Sequence, residues 1–347
     1  MKKIYFLLAA LILTGSVQAR AWRVCSQANQ HAHFLSVADA VVSESVLEND
    51  TLYIEPGHVE LAACDITKKL HLVGPGYNYL ANEINAMDIR NAAFPANINI
   101  RIAGTTISGC HIAGTVNCYA SDVTISNCFL YCFYSVGSTS NVTIQDCFFN
   151  ASGSGSYGGI QCNLPCTGWT IKNNVIWGPV SLYSSTNVNF FNNTVVAATQ
   201  NSYDYIINGQ CTNSLFYNNI IINNGVNYGG CIVASPSNNN TIINNVLSCD
   251  PRSDYSNSVF NATAEGVLEL GNVTSLELKF RHLANGPAVG AGTNGVTCGA
   301  YGAVTGERPY TPAGIPQYRP YIIDANVSDT PSENNTVNAS FKIKVQQ

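Results

Sequence analysis

The sequence predicts an all-β fold wound as a right-handed parallel β-helix, a solenoid, and three observations carry that expectation. Seven times between Cys110 and Asn245 the chain repeats one phrase: an apolar residue, a polar one, a polar turn residue, then Cys or Asn, then more apolar residues. It reads TISGCHI from Thr106, VTISNCFL from Val123, VTIQDCFF from Val142, WTIKNNVI from Trp169, VNFFNNTV from Val188, LFYNNIII from Leu215 and TIINNVLS from Thr241. The closing Cys or Asn falls at 110, 128, 147, 174, 193, 219 and 245, so successive gaps are 18, 19, 27, 19, 26 and 26. Self-similarity of this kind marks a solenoid; roughly 20 residues make one coil, and the longer gaps hold loops at a corner. Within each phrase the apolar positions alternate, which is the period of a strand.

The elements follow in order. Residues 1–19 read as a secretory signal: Lys2 and Lys3 supply charge, Tyr5 to Leu13 the apolar run, and Val17-Gln18-Ala19 a small-residue cleavage site. The mature chain is expected to begin at Arg20. Leu13-Thr14-Gly15-Ser16 has the outline of a lipobox, but Ser16 stands where a lipid-bearing cysteine would. No later apolar run approaches the roughly 20 residues of a membrane span. Residues 20–308 are expected to form one β-helix domain, because the repeat runs through the middle without a break. From Phe34 to Leu47, the apolar residues Leu35, Ala38, Val41, Val42 and Val46 lie near helical spacing behind Ser36, an N-cap residue. A short amphipathic helix there would cap the open end of the solenoid. Asp50 to Gly57 reads as the first strand and turn, and Leu70 to Gly76 as the next. Residues 309–347 are expected to be an extended strap, since Pro309, Pro312, Pro316 and Pro320 exclude a central strand, followed by a strand. That strand alternates through Val337, Ala339, Phe341, Ile343 and Val345, and should pack back along the solenoid or close its end.

The period-2 rule assigns the phrases to columns. Ile125, Ile144, Ile171, Phe190, Phe216 and Ile242 point inward, as do Leu130, Phe149, Ile176, Val195, Ile221 and Leu247. Cys110, Cys128, Cys147, Asn174, Asn193, Asn219 and Asn245 would form an internal structural ladder, because a buried amide must find partners and a stack supplies them. Two columns face outward. Ser126, Gln145, Lys172, Phe191, Tyr217 and Ile243 make one; Phe129, Phe148, Val175, Thr194, Ile220 and Val246 make the other, which is too apolar for open water. Either loops and the C-terminal strand cover it, or it is a contact surface. The chain has 13 Cys, an odd count that leaves at least one thiol free. Cys25 with Cys64, or Cys162 with Cys166, are the expected bridges, since both pairs lie outside the ladder.

Taken together, NDTLYIEPG, ITKKLHLVGPGY from Ile66 and the Cys/Asn-closed coils resemble secreted bacterial right-handed β-helix repeat proteins of the pectate-lyase-like superfamily. The segment from Ser275, SLELKFRHLANGPAVGAGTNGVTCGAYG, resembles the last coil of that group. The resemblance implies fold more than chemistry, because the superfamily holds lyases, hydrolases, epimerases and adhesins.

The expected function is that of an exported protein interacting with polysaccharide. A polysaccharide lyase or other glycan-active enzyme is the alternative, and a structural or adhesive surface protein the next. Tyr131, Trp177, Tyr183, Tyr203 and Tyr205 offer aromatic faces with polar tips for sugar. Acid–base hydrolysis needs paired carboxylates, and lyase chemistry a base beside a neutralised uronate. From Ile98 to Cys249 the only acids are Asp122, Asp146 and Asp204, and the only basic or imidazole residues Arg101, His111 and Lys172. Asp146 and Lys172 could meet on adjacent coils as a surface ion pair, and the alternative is a lyase that uses Lys172 as base with a Tyr as partner. The spacing supports no calcium cluster, His31 and His33 alone make no metal site, and no cofactor is expected. Charged residues are 11% with net charge −5, which gives no footprint for nucleic acid. A monomer located in the periplasm, at the cell surface or outside the cell is expected.

Overall fold

Parallel β-sheet dominates the chain in the computed structural model, and the two α-helices among the described residues, Val37–Val42 and Ala264–Val267, are short. The structure describes residues 19–77, 90–151, 158–162, 164–197, 206–208, 210–223, 231–232, 239–271, 273, 275–302, 308–314, 320–327 and 339–345. The predicted signal up to Gln18, and the residues Tyr203, Asp204 and Tyr205, lie outside them.

One parallel sheet has ten strands. Ala21–Val24, Thr51–Ile54 and His71–Val73 lead into the seven repeat triplets, from Thr106–Ser108 to Thr241–Ile243. Their register places Ile107, Ile125, Ile144, Ile171, Phe190, Phe216 and Ile242 in one buried line. The second sheet starts just past each Cys or Asn and stacks Leu130, Phe149, Ile176, Val195, Ile221 and Leu247, all buried. Its strand Phe129–Ser135 shifts register between Leu130 and Cys132. The first half pairs with Phe148–Asn150 and the second with Gly159–Cys162, so this sheet bends into two faces. With the first sheet that makes three, an arrangement compatible with a parallel β-helix.

The corners explain the phrase. Two residues before each repeat triplet stands a residue of positive φ: Gly104, Asp122, Asn141, Gly168, Asn187, Asn213 and Asn239. Directly after each triplet stands another: Gly109, Asn127, Asp146, Asn173, Asn192, Asn218 and Asn244, with φ between 52° and 67°. Left-handed backbone costs an ordinary L-residue about 1–2 kcal/mol, and Gly, Asn and Asp bear it best. Both flanks of the first sheet are therefore turned by the same device. The sequence reading registered the second position as a polar turn residue and passed over the first.

The next residue, Cys or Asn, closes the turn from inside. Asn193 Nδ2 donates to Phe191 O at 3.0 Å within its own turn and to Ile171 O at 2.9 Å on the coil before. Asn245 does the same with Ile243 O and Phe216 O, both at 2.9 Å. Cys128 and Cys147 place their thiols on the equivalent carbonyls, at 3.1 Å in their own turns and 3.8 Å across. Acceptance runs the other way. Cys147 N, Asn174 N, Asn193 N and Asn219 N each donate to the next Asn Oδ1 at 2.9–3.0 Å, and Asn245 N ends the series on Ser258 Oγ. Cysteine and asparagine thus share one position, with the thiol as the weaker donor.

Several expectations change. The first strand is Ala21–Val24, paired in register with Thr51–Ile54; it carries no repeat phrase that could announce it. The N-terminal helix is capped by Ser36, whose side chain accepts from Asp39 N, but it ends at Val42. Leu35 and Val42, expected on its buried face, are 52% and 78% exposed, while Val37, Ala40 and Val41 enter the core. Ala339–Val345 pairs antiparallel with Pro320–Val327, so the C-terminal alternation finds its partner in its own hairpin. The segment from Ser275 is no strand: Leu278–Phe280 is a 3₁₀ turn. Cys162 and Cys166 are bridged, whereas Cys25 and Cys64 are buried thiols.

Replacing Asn193 by Ala would strand Asn174 N and remove the side-chain donor to Ile171 O and Phe191 O, the latter keeping its 3.3 Å bond from Asn173 N. We expect a loss of about 2–4 kcal/mol in urea unfolding. At the corner, Asn127→Ala should cost about 1 kcal/mol and Asn127→Gly close to nothing, because alanine keeps a Cβ at φ 52° without the polar side chain that lets asparagine tolerate this region, whereas glycine has no Cβ.

Candidate functional site

The apolar outward column of the repeats is closed, not an open groove. Phe148, Val175, Thr194, Ile220 and Val246 are buried, and Phe129 is half-buried. They form a second core with Tyr77, Ala262, Ala264, Val267, Leu268, Phe280, Ala288, Cys298, Ala300 and Tyr310. Among the described residues the cover is therefore the stretch from Ala262 to Ala300 with Tyr310 and Tyr77, where the sequence led to an expectation of loops and the C-terminal strand. Small residues let this stretch lie close. A Cβ on Gly299, which has φ +89°, would stand 2.6 Å from Ile220 Cδ1 and 2.7 Å from Thr194 Oγ1.

The left-handed asparagines fasten the cover. Asn218 Oδ1 accepts from Thr293 N at 2.8 Å, and Asn244 Nδ2 donates to Thr293 Oγ1 at 2.8 Å. Asn192 Nδ2 reaches Gly302 O at 3.4 Å, and Asn173 Nδ2 reaches Arg308 O at 3.1 Å. Beneath the cover, buried Glu277 accepts from the Tyr310 hydroxyl, which lies 3.1 Å from the Tyr77 hydroxyl. Burial pushes the Tyr77 and Tyr310 phenols well above their ordinary range, with the Glu277 charge adding to it.

Trp177 lies under this cover, half-buried against Phe280 at 5.6 Å between rings. One face of its ring is thus taken up by the cover. The basic cluster Lys279-Phe280-Arg281-His282 belongs to the cover as well: Phe280 plugs it, and Arg281 pairs with Glu269 at 2.5 Å. Asp146 and Lys172 do stand on neighbouring coils. Gln145 pairs in register with Lys172, and Asp146 N donates to Lys172 O at 3.3 Å. The Lys172 ammonium lies 5.8 Å from the centre of the Phe191 ring. Asp122 sits at the opposite corner, where Asn141 Nδ2 donates to it at 3.0 Å, so the two described acids of the repeat are not paired. No group of three His, Cys, Asp or Glu able to hold a metal occurs among the described residues. His33 Nδ1 accepts from Arg23 N at 2.9 Å.

The third face offers different chemistry. Asp65, Asn99, Asn117, Tyr134, Gln161 and Ser181 share one register position on six successive strands. Asn99 Nδ2 donates to Asp65 Oδ1 at 2.7 Å, and Asn117 Nδ2 to Asn99 Oδ1 at 2.8 Å. The Arg101 guanidinium stacks 3.9 Å over the Tyr119 ring and reaches Asp65 at 3.4 Å. Tyr183 follows the strand Val180–Leu182 and is 41% exposed; Tyr131 is half-buried at the bend of Phe129–Ser135. Sequence reasoning missed this column because its strands Gly159–Cys162 and Val180–Leu182 fall in the spacing between phrases. No helix among the described residues is long and apolar enough to cross a membrane. No protein-family model matches the chain, and no curated protein matches its sequence.

Phe280→Ala should cost about 3–5 kcal/mol and raise the binding of a hydrophobic dye as the column is uncovered. A second expectation concerns the thiols. A hydrogen bond from Cys231 holds the Cys249 thiol down at about 7, while burial pushes Cys118 up to about 11 and Cys132, Cys211 and Cys298 to about 12. Lowered in this way although itself buried, Cys249 should be the first of these five thiols that iodoacetamide labels at pH 8, as read by peptide mass spectrometry.

Proposed function

We propose that this chain is an exported right-handed parallel β-helix protein of the pectate-lyase-like kind that holds an extended polysaccharide along its third face. The polar column from Asp65 to Ser181, in which Gln161 is buried and the other five reach the surface, carries this reading. Neighbouring strands repeat at ~4.8 Å, so amide, carboxylate and hydroxyl groups recur at a spacing close to that of sugar units in an extended glycan. Tyr183 flanks the column with an exposed ring suited to stacking on a sugar face. The neutral amides, and the scarcity of charge, favour a hydroxyl-rich partner over a polyanion. The N-terminal helix would shield the end of the stack.

A lyase is the second reading, favoured by the adjacency of Asp146 and Lys172 across one strand pairing. Release of unsaturated uronides, seen as ultraviolet absorbance with pectin, alginate or glycosaminoglycan, would promote it over simple binding.

The test is a glycan array followed by titration. The parent should bind at least one polysaccharide, Tyr183→Ala and Asn117→Ala should each weaken binding about tenfold, and Trp177→Ala should change stability without changing affinity. Failure of the parent to bind any glycan, or equal binding by the Tyr183 and Asn117 variants, would sink the proposal.

A further inference from the structure

Asp50 is completely buried. Its carboxylate accepts from Arg20 N at 2.6 Å, Trp22 Nε1 at 2.7 Å and Leu47 N at 2.9 Å. No cationic side chain pairs with it among the described residues. Its hydrogen bonds come from neutral donors and the Arg20 charge acts on it without an ion pair, so it retains much of its desolvation cost, which a directly bonded counter-charge would offset. Burial works to raise the Asp50 pKa, but the hydrogen bonds from Arg20, Leu47 and Trp22 outweigh it, so the carboxyl stays below its ordinary range and ionised at neutral pH.

The donor on the shortest of these bonds is the nitrogen of the residue at which the small-residue motif Val17-Gln18-Ala19 would leave a new chain end. Two independent observations meet on one atom: a cleavage motif in the sequence, and an unpaired buried carboxylate in the fold. Arg20 is held in place from its other side as well. Thr51 N donates to Arg20 O at 2.8 Å, and the following strand, Ala21–Val24, pairs in register with Thr51–Ile54. Ala19 and Arg20 are themselves exposed, so the bond between them is open to a peptidase.

We propose that hydrolysis of the Ala19–Arg20 bond completes this site, because the α-ammonium it frees on Arg20 becomes the missing partner of Asp50 and fastens the first strand to the solenoid. A peptidase adds water across the amide. The hydroxyl goes to the Ala19 carbonyl carbon, the C–N bond breaks, and the nitrogen takes one proton from that water and a second from the new carboxylic acid. The leader departs with a carboxylate, and Arg20 keeps an ammonium where an uncharged N–H stood. Processing and completion of the N-terminal strand are thereby coupled. This rests on the export part of the proposed function and is independent of its glycan part.

The experiment has two parts. The full chain is produced with its own leader in a bacterial host, and the exported product is sequenced from its N-terminus, where Arg20 should come first. The mature protein is then compared with a variant carrying one extra Gly before Arg20, in the parent and in the D50N background. The extension should lower the thermal midpoint by roughly 5 °C in the parent and by less than about 1 °C in D50N. The α-amine, dimethylated with carbon-13 and followed by NMR, should titrate at least about one unit above its ordinary range of about 7.7–8.0. That titration decides the matter should D50N fail to fold. Cleavage at another residue, an equal cost of extension in both backgrounds, or an amine with ordinary titration would overturn the proposal. An uncleaved product would overturn the export reading with it.

Discussion

Everything in this fold depends on how the corner of each coil satisfies its backbone. A parallel strand can pair with neighbours above and below, but the chain must leave the strand at a sharp bend, where carbonyls turn inward and have no strand to meet. The solution here uses two adjacent residues. One takes the left-handed conformation and makes the bend; the next turns its side chain inside and donates to one carbonyl of its own turn and to one on the preceding coil. Because one of those carbonyls lies on the preceding coil, closing a turn also joins two coils. Stacking and turning are one interaction.

The same pair explains how the solenoid acquires its second core. In the later coils the left-handed residue is Asn, and its side chain points outward from a backbone already fixed in position. Asn173, Asn192, Asn218 and Asn244 therefore present a row of amides along one edge of the second face, and the stretch from Thr293 to Arg308 is tied to that row. In the earlier coils Gly109, Asn127 and Asp146 occupy the position. There the face is closed instead by Tyr77, which packs against Phe129 and meets Tyr310 above Glu277. Both ends of the cover are hydrogen-bonded, and apolar burial between them supplies roughly 1.5–3 kcal/mol for each large side chain enclosed.

What the sequence made legible was whatever repeats. Ile125 to Ile242 and Leu130 to Leu247 were assigned inward by alternation, and the structure buries them all. The nonrepeating parts were read less well, for physical reasons. The strand Ala21–Val24 is specified by pairing with Thr51–Ile54 and by Asp50, both distant in sequence. The helix after Ser36 ends early because the chain turns at Ser43 to bring Val46 into the core, a tertiary demand that helical spacing does not carry. The cover was mistaken for a final coil because its Gly and Ala content suits both a closing turn and a close approach to another surface. The polar third face escaped notice because loops of variable length separate its strands from the phrase.

Low charge is itself a consequence of the solenoid, and it bears on what the chain can recognise. A column of like charges would place them at ~4.8 Å intervals, where each neighbouring pair repels by about 1 kcal/mol even in water, and the terms accumulate along the axis. Neutral hydrogen-bonding side chains repeat without that penalty, and amides gain from it by bonding to one another, as Asn117 and Asn99 do on the third face. A surface built under this constraint reads partners through ordered donors and acceptors and through aromatic rings, with little long-range attraction. An acidic polymer would meet few cations on the coils, Arg101 and Lys172 being the only basic side chains from Ile98 to Cys249. Of these, Arg101 is engaged with Asp65 and Tyr119. The same constraint is why the proposed ligand is a neutral, hydroxyl-rich glycan and not a uronate.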